Sequence, residues 1–352
     1  MYQSDPQRPN ATCAENPDML QELISTGSLK TIALVGTSKN SGKTTLLNGI
    51  LKLYPDLSWG VMSTGLDGES SDRVFKTPKP QVQLPQGALF CADGHTLECL
   101  GCRVSILKAE LFSGRKLWFL KAEEALQTEI TGPSSVSDQI HAARDLHRMG
   151  AARVLIDGSL DRKSIAFEDS VQAIILCIGA SFGTKEEIVE ELKRLDLMIS
   201  IPIYHCSKYH CESLKAAETV MYGTRGQWQK TQIASLIGHE DEIGAILGEH
   251  PDTLYIPGAY TSMLHARLFP LFKEAKTQLI FRHPQCLALS HGEISRLRRD
   301  CDVSTLISFK VKLYALNAWA VGKHPINAEQ FRRYIRSHLP QKTFIDIMEL
   351  DH

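Results

Sequence analysis

Within ten residues, Gly36-Thr37-Ser38-Lys39-Asn40-Ser41-Gly42-Lys43-Thr44-Thr45 combines two glycines, two lysines and a run of hydroxyls. Glycine lets the main chain come close to a ligand, so backbone N–H groups can point together at an anion. Lysine supplies a fixed positive charge at the end of a long stem, and a threonine hydroxyl after it can complete the shell of a hard cation. The chemistry this favours is binding of phosphates with Mg²⁺, with Lys43 on the outer phosphates and Thr44 on the metal. A second candidate is Asp157, which ends the apolar run Ala152-Arg153-Val154-Leu155-Ile156 about 110 residues after Lys43. An aspartate there holds Mg²⁺ or orients an attacking nucleophile. Asp67, in the polar stretch Gly65-Leu66-Asp67-Gly68-Glu69-Ser70-Ser71-Asp72, is a third, with Glu69 and Asp72 beside it.

These residues need a strand–loop–helix to hold them, and the flanks provide one. Thr31-Ile32-Ala33-Leu34-Val35 is apolar and β-branched, and Leu46-Leu47-Asn48-Gly49-Ile50-Leu51 has the apolar spacing of a helix laid on a sheet. That order is the context a P-loop requires. The usual spacing would put its first glycine at Thr37; Gly36 stands one place earlier. Residues 59–64 read as the next strand, so the acidic loop with Asp67 falls at a strand's carboxyl end, where open α/β sheets collect ligands. Residues 131–138 read as a turn into a helix running to about Met149. Val171 to Ala180 reads as a further buried strand, followed by a charged helix from Thr184. The pattern predicts a three-layer α/β fold of the P-loop NTPase kind, with a mainly parallel sheet. A polar tail covers 1–27, with a short helix as one reading of 17–24, and the P-loop domain 28–200 holds a β-rich, antiparallel insertion at 77–126. Residues 201–352 repeat the α/β rhythm as a second domain packed on the first, with a strand and turn over 252–259, strands near 278–282, 313–317 and 343–347 and a helix over 330–338.

The chain of 352 residues is 43% hydrophobic and 22% charged, with a formal net charge of -1. This is ordinary globular composition, without the basic excess of a nucleic-acid binder. No apolar run is long enough for a membrane span, and the opening residues lack the pattern of a signal peptide. Nine cysteines, an odd number, favour reduced thiols and a cytoplasmic setting. Cys99-Leu100-Gly101-Cys102 is a single C-x₂-C. The missing pair of zinc ligands would have to come from Cys91 and His95, or from His205-Cys206 and His210-Cys211, so ordinary half-buried thiols are the expected reading.

The loop, the 65–69 stretch, Pro78-Lys79-Pro80, Thr131-Gly132-Pro133-Ser134 and Ile156-Asp157-Gly158-Ser159-Leu160-Asp161-Arg162 occur in one order. That order resembles a bacterial family of P-loop proteins associated, as reactivating ATPases, with the cobalamin- and PLP-dependent lysine and ornithine aminomutases. The likeness spans most of the chain, including Ile256-Pro257-Gly258-Ala259. More loosely, the P-loop half is similar to the dethiobiotin synthetase and MobB class. Lys39 resembles the extra lysine of the MinD and ParA ATPases, which contacts phosphate across a dimer, although it lies four places before Lys43 rather than five. A homodimer is therefore among the candidate assemblies. The resemblance implies hydrolysis of ATP (or GTP) with Mg²⁺, coupled to an aminomutase-type partner enzyme. Two other functions fit the same residues: a small-molecule kinase or ATP-dependent ligase, and a nucleotide-binding regulator with little turnover.

Overall fold

The strand that runs into the loop, Thr31–Gly36, is buried at every position, as a mostly apolar segment is when other layers cover both faces of its sheet. The computed structural model describes residues 15–38, 40–65, 81–159, 165–318, 327–342, 344–347 and 350. In chain order the first elements are α1 (Glu15–Ser25), β1 (Thr31–Gly36), α2 (Lys43–Leu53), β2 (Trp59–Ser63), β3 (Val82–Leu84) and β4 (Leu89–Ala92). Next come α3 (Gly94–Leu100), β5 (Val104–Phe112), β6 (Arg115–Ala122), β7 (Leu126–Thr128), α4 (Val136–Arg148), β8 (Arg153–Ser159) and β9 (Ala173–Gly179). Then α5 (Lys185–Ile199), α6 (Lys208–Ala216), β10 (Met221–Thr224), β11 (Gln227–Lys230), α7 (Glu240–Gly248), β12 (Thr253–Ile256) and β13 (Tyr260–Thr261). The chain finishes with α8 (Ser262–Ala275), β14 (Gln278–Phe281), β15 (Leu287–Ala288), α9 (His291–Asp300), β16 (Val303–Thr305), β17 (Val311–Asn317), α10 (Ala328–His338) and β18 (Phe344–Asp346).

The fold is mixed α/β around a large, mostly parallel sheet. Its nine strands lie in the order β18-β17-β9-β1-β8-β2-β4-β6-β5. β1 pairs in parallel with β8, β8 with β2, and β2 with β4. β4, β6 and β5 then pair antiparallel, so the β-rich stretch expected at 77–126 extends this sheet, with β3 and β7 forming a small antiparallel pair of their own. A five-stranded sheet, β11-β10-β12-β14-β16, forms separately.

Two compact units result. The first comprises residues 1–159, 175–182 and 312–352, and the second 160–174 and 183–311. The sequence places a domain boundary at 200; here the last forty or so residues return to the first unit, because β17 and β18 are strands of the nine-stranded sheet. The reason is pairing rather than sequence proximity: β9 is buried along all seven residues and needs a neighbour on that side. Within the stretch read as a polar tail, the short helix expected over 17–24 is present and slightly longer. Residues 15–25 form α1, which buries Leu20 and Ile24 and touches β18.

Candidate functional site

The parallel register places Leu34 of β1 beside Asp157 of β8, and Gly36 beside Ser159. Both strands therefore finish together at the point where the chain turns into α2. Its first residues are Lys43 and Thr44, and the Thr44 hydroxyl donates a hydrogen bond to Asp157 Oδ2 at 3.3 Å. Two expected groups, 113 residues apart in sequence, are thus in contact. Gly42 stands at the helix N-cap with φ 90°, and no side chain caps the helix. Its first N–H groups are left facing the loop with the partial positive charge of a helix start.

The loop closes tightly over the strand end. A Cβ on Gly36 would run into the Ser41 hydroxyl, and would lie 3.0 Å from Lys43 Nζ, so the lysine head is folded back across that glycine. Asn40 takes a left-handed conformation, φ 60°. Its carbonyl accepts from Asn317 Nδ2 at 3.3 Å and from the Ser181 hydroxyl at 3.5 Å. The Thr37 N–H donates to the Cys177 carbonyl at 3.0 Å. Ser38 and Ser181 hydroxyls lie 3.5 Å apart. The loop is thereby pinned by β9, its following turn and the end of β17.

Beneath these clamps, the Ser41 hydroxyl is fully buried and, like the buried Thr37 hydroxyl, has no hydrogen-bond partner among the described residues. A buried polar group left in that state costs about 1–3 kcal/mol. Its retention fits a site whose partner is a ligand.

On the β2 side, the Ser63 N–H donates to the Thr131 carbonyl at 3.2 Å, and the Thr64 N–H to the Asp157 carbonyl at 2.9 Å. Gly132 packs so closely that a Cβ would overlap the Ser63 carbonyl. Gln139 Nε2 donates to the Pro133 carbonyl at 3.0 Å. The Thr131 hydroxyl is a further buried group without a partner. Thr131-Gly132-Pro133 therefore borders the same strand ends as Asp157.

Part of Asp157 reaches the surface, yet packing around its carboxyl pushes the pKa up. The Lys43 charge and the Thr44 hydroxyl pull it part of the way back. The neighbouring Cys177 thiol is driven up to about 12, chiefly by burial, so it serves as packing rather than as a nucleophile.

Of the groups marked in the sequence, the structure brings together Gly36, Thr37, Ser38, Asn40, Ser41, Gly42, Lys43, Thr44 and Asp157; Thr45 points outward and is exposed. Lys39, Asp67, Glu69, Asp72, Asp161 and Arg162 lie outside the described residues. Sequence reasoning did not single out Asn317, Ser181 or Thr131 as site residues. Only the small residues Gly132 and Gly179 hinted at close approach there.

Cysteine gave weaker leads. Cys91 is buried in β4, whereas Cys99 and Cys102 are exposed, Cys99 lying on α3, a helix the sequence did not suggest. His95 Nε2 lies 4.0 Å from Cys99 Sγ. Cys206 and Cys211 are joined in a disulfide, which corrects the expectation of reduced thiols for that pair and removes it as a source of zinc ligands. Among the described residues, one cluster has metal-ligand types in reach of each other, Glu110, His141 and Asp145. Its carboxylates are already engaged by the Lys108 ammonium, at 2.6 and 2.5 Å. No helix among the described residues is long and apolar enough to cross a membrane.

Compared with protein-family models, with curated proteins and with solved structures, the chain matches none.

Proposed function

We propose that the loop 36–45 binds the phosphates of a nucleoside triphosphate, ATP in the first instance and GTP in the second, and that the protein hydrolyses it with Mg²⁺. The observation that carries this reading is the Thr44–Asp157 contact at 3.3 Å, at the mouth of a helix whose N-terminus no side chain caps. The buried, unpartnered Ser41 hydroxyl supports it independently, since a phosphate oxygen or the water around it would give that group its partner.

Each residue then has a task. The N–H groups at the start of α2 and along the loop orient the phosphate chain. Lys43 would neutralise charge on the outer phosphates, and the Thr44 hydroxyl and Asp157 carboxylate are the groups that would hold the cation. Mg²⁺ would supply the remaining charge neutralisation that phosphoryl transfer needs. Asp67, at the end of the second strand in sequence, is proposed as a further metal-side or switch group. We take the physiological purpose to be mechanical: hydrolysis changes the conformation of a partner enzyme, of the aminomutase type that the motif order suggests.

The test is phosphate release from ATP and from GTP, with and without Mg²⁺, for the wild type and Lys43→Ala, alone and with cytosolic protein fractions. Release that requires Mg²⁺, disappears in Lys43→Ala and rises with a protein fraction is the expected result. Stimulation by a small-molecule fraction instead would replace the partner-coupled ATPase with a kinase or ligase. Mg²⁺-nucleotide binding without release under any condition would leave a regulatory nucleotide site.

A further inference from the structure

β5 is the last strand of the nine-stranded sheet, with β6 on one side and no strand on the other among the described residues. Natural edge strands are protected by being short, by proline, by charged side chains pointing outward or inward, or by bulges. β5 is nine residues long, Val104-Ser105-Ile106-Leu107-Lys108-Ala109-Glu110-Leu111-Phe112, and has no proline. Its one lysine, 36% exposed, is tied to Glu110 of the same strand and Asp145 of α4, so its charge is held at the strand rather than spread along the edge. A bulge falls between Ile106 and Lys108, leaving Lys108 to Phe112 in regular pairing with β6. Of the eight large apolar side chains exposed among the described residues, three sit on this strand: Ile106 at 54%, Leu107 at 42% and Leu111 at 70%. Isolated exposed apolar side chains need no explanation, but three on one open edge do.

We propose that β5 pairs with β5 of a second copy of this chain, antiparallel about a two-fold axis at Ala109, so that the sheet continues across a homodimer. A two-fold contact sets each residue against its mirror position, and the charges choose between registers. Centred on Glu110, the pairing would set glutamate against glutamate; centred on Lys108, lysine against lysine. Like charges directly opposite are unfavourable and opposite charges favourable. Centred on Ala109, Lys108 faces the partner's Glu110, and Glu110 faces the partner's Lys108. The same register sets Leu107 against the partner's Leu111, twice over, covering the exposed leucines on the face away from α4. It also leaves the two copies of Ala109 directly opposite, about 4.5–5.5 Å apart between Cα atoms, within the span of a disulfide.

The experiment uses the full chain. Sedimentation velocity over a concentration series measures the mass of the wild type and of Leu111→Glu, whose new carboxylate lies across from Lys116 on β6 and keeps the monomer's fold. Cross-linking uses Ala109→Cys and Leu111→Cys, each with the exposed thiols removed by Cys99→Ser and Cys102→Ser, under mild oxidation on non-reducing gels. The expected result is a doubling of mass in the wild type that Leu111→Glu abolishes with an unchanged circular dichroism spectrum. Rapid disulfide-linked dimer is expected from Ala109→Cys and little from Leu111→Cys, since those two positions lie about 14 Å apart along the strands. The proposal is overturned by a monomeric wild type up to the solubility limit, by a dimer that Leu111→Glu leaves in place, or by cross-linking as fast at position 111 as at 109.

Discussion

Asp157 is held at a strand end where burial disfavours its charge, while Lys43 and Thr44 favour it. The balance is a raised pKa, and its consequence for stability has a definite sign. A carboxyl whose pKa is higher folded than unfolded supports the folded state where it is protonated. That contribution is complete below the unfolded value, about 4, and is lost as pH rises through the folded value. Asp157→Asn keeps the shape and removes the charge, so it should melt at a higher temperature than the wild type at neutral pH. The gain should vanish as pH approaches about 4. Differential scanning calorimetry across that range checks this, and a lower melting temperature at neutral pH would show the charged carboxylate to be net stabilising through Lys43. The same variant should lose Mg²⁺-dependent phosphate release. Lys43→Ala acts on binding instead: losing one charge-assisted contact of about 1.5–3 kcal/mol lowers nucleotide affinity by roughly 10- to 100-fold, readable by titration with a fluorescent analogue.

The elements around α2 show why some of the site was legible in the chain and some was not. Strand β1, the loop, α2 and the aspartate near the end of β8 are local patterns: a buried apolar run, a glycine-bounded turn and a 3.6-residue repeat, each readable in its own window. Asn317 and Ser181 reach the loop, and Thr131 the end of β2, only because β9 and β8 flank β1, β17 lies beyond β9 and β2 beyond β8. Strand order is a long-range property that no window contains. Their effects are measurable. Asn317→Ala removes the hydrogen bond to the Asn40 carbonyl, worth about 1 kcal/mol, and should weaken nucleotide binding about fivefold by loosening the loop. Gly132→Ala is harsher, because the Ser63 carbonyl occupies the place of the new Cβ. The main chain must shift at the end of β2, with a stability loss of about 1–3 kcal/mol. Chemical denaturation would detect it, and an unchanged midpoint would mean the 131–134 turn has room that the packing does not suggest.

At the scale of the whole molecule, the first unit is assembled from three separate stretches of chain, and this decides what can be removed. The repeating α/β rhythm after residue 200 reads as one continuous second half, since β17 and β18 look locally like β12 and β14. Pairing separates them: β12 and β14 join the five-stranded sheet, β17 and β18 the nine-stranded one. A fragment of residues 1–200 therefore contains the whole loop yet lacks the strand beside β9 and the Asn317 clamp. It exposes one edge of a seven-residue, fully buried strand, which invites aggregation, and is expected to be insoluble or to melt without cooperativity. A chain joining residues 1–182 to 311–352 through a Gly/Ser linker keeps every strand of the nine-stranded sheet. Phe167→Ser is added to it, because that ring packs on His283 at 4.5 Å and on Phe309 at 5.2 Å, both lost with the deleted stretch. This shortened chain is expected to fold cooperatively and to bind Mg²⁺-nucleotide, whereas the longer N-terminal fragment does neither. Calorimetry and nucleotide titration on the two together make the comparison. If residues 1–200 alone melt cooperatively and bind nucleotide, β17 and β18 are dispensable, and the closing residues serve a purpose other than completing this sheet.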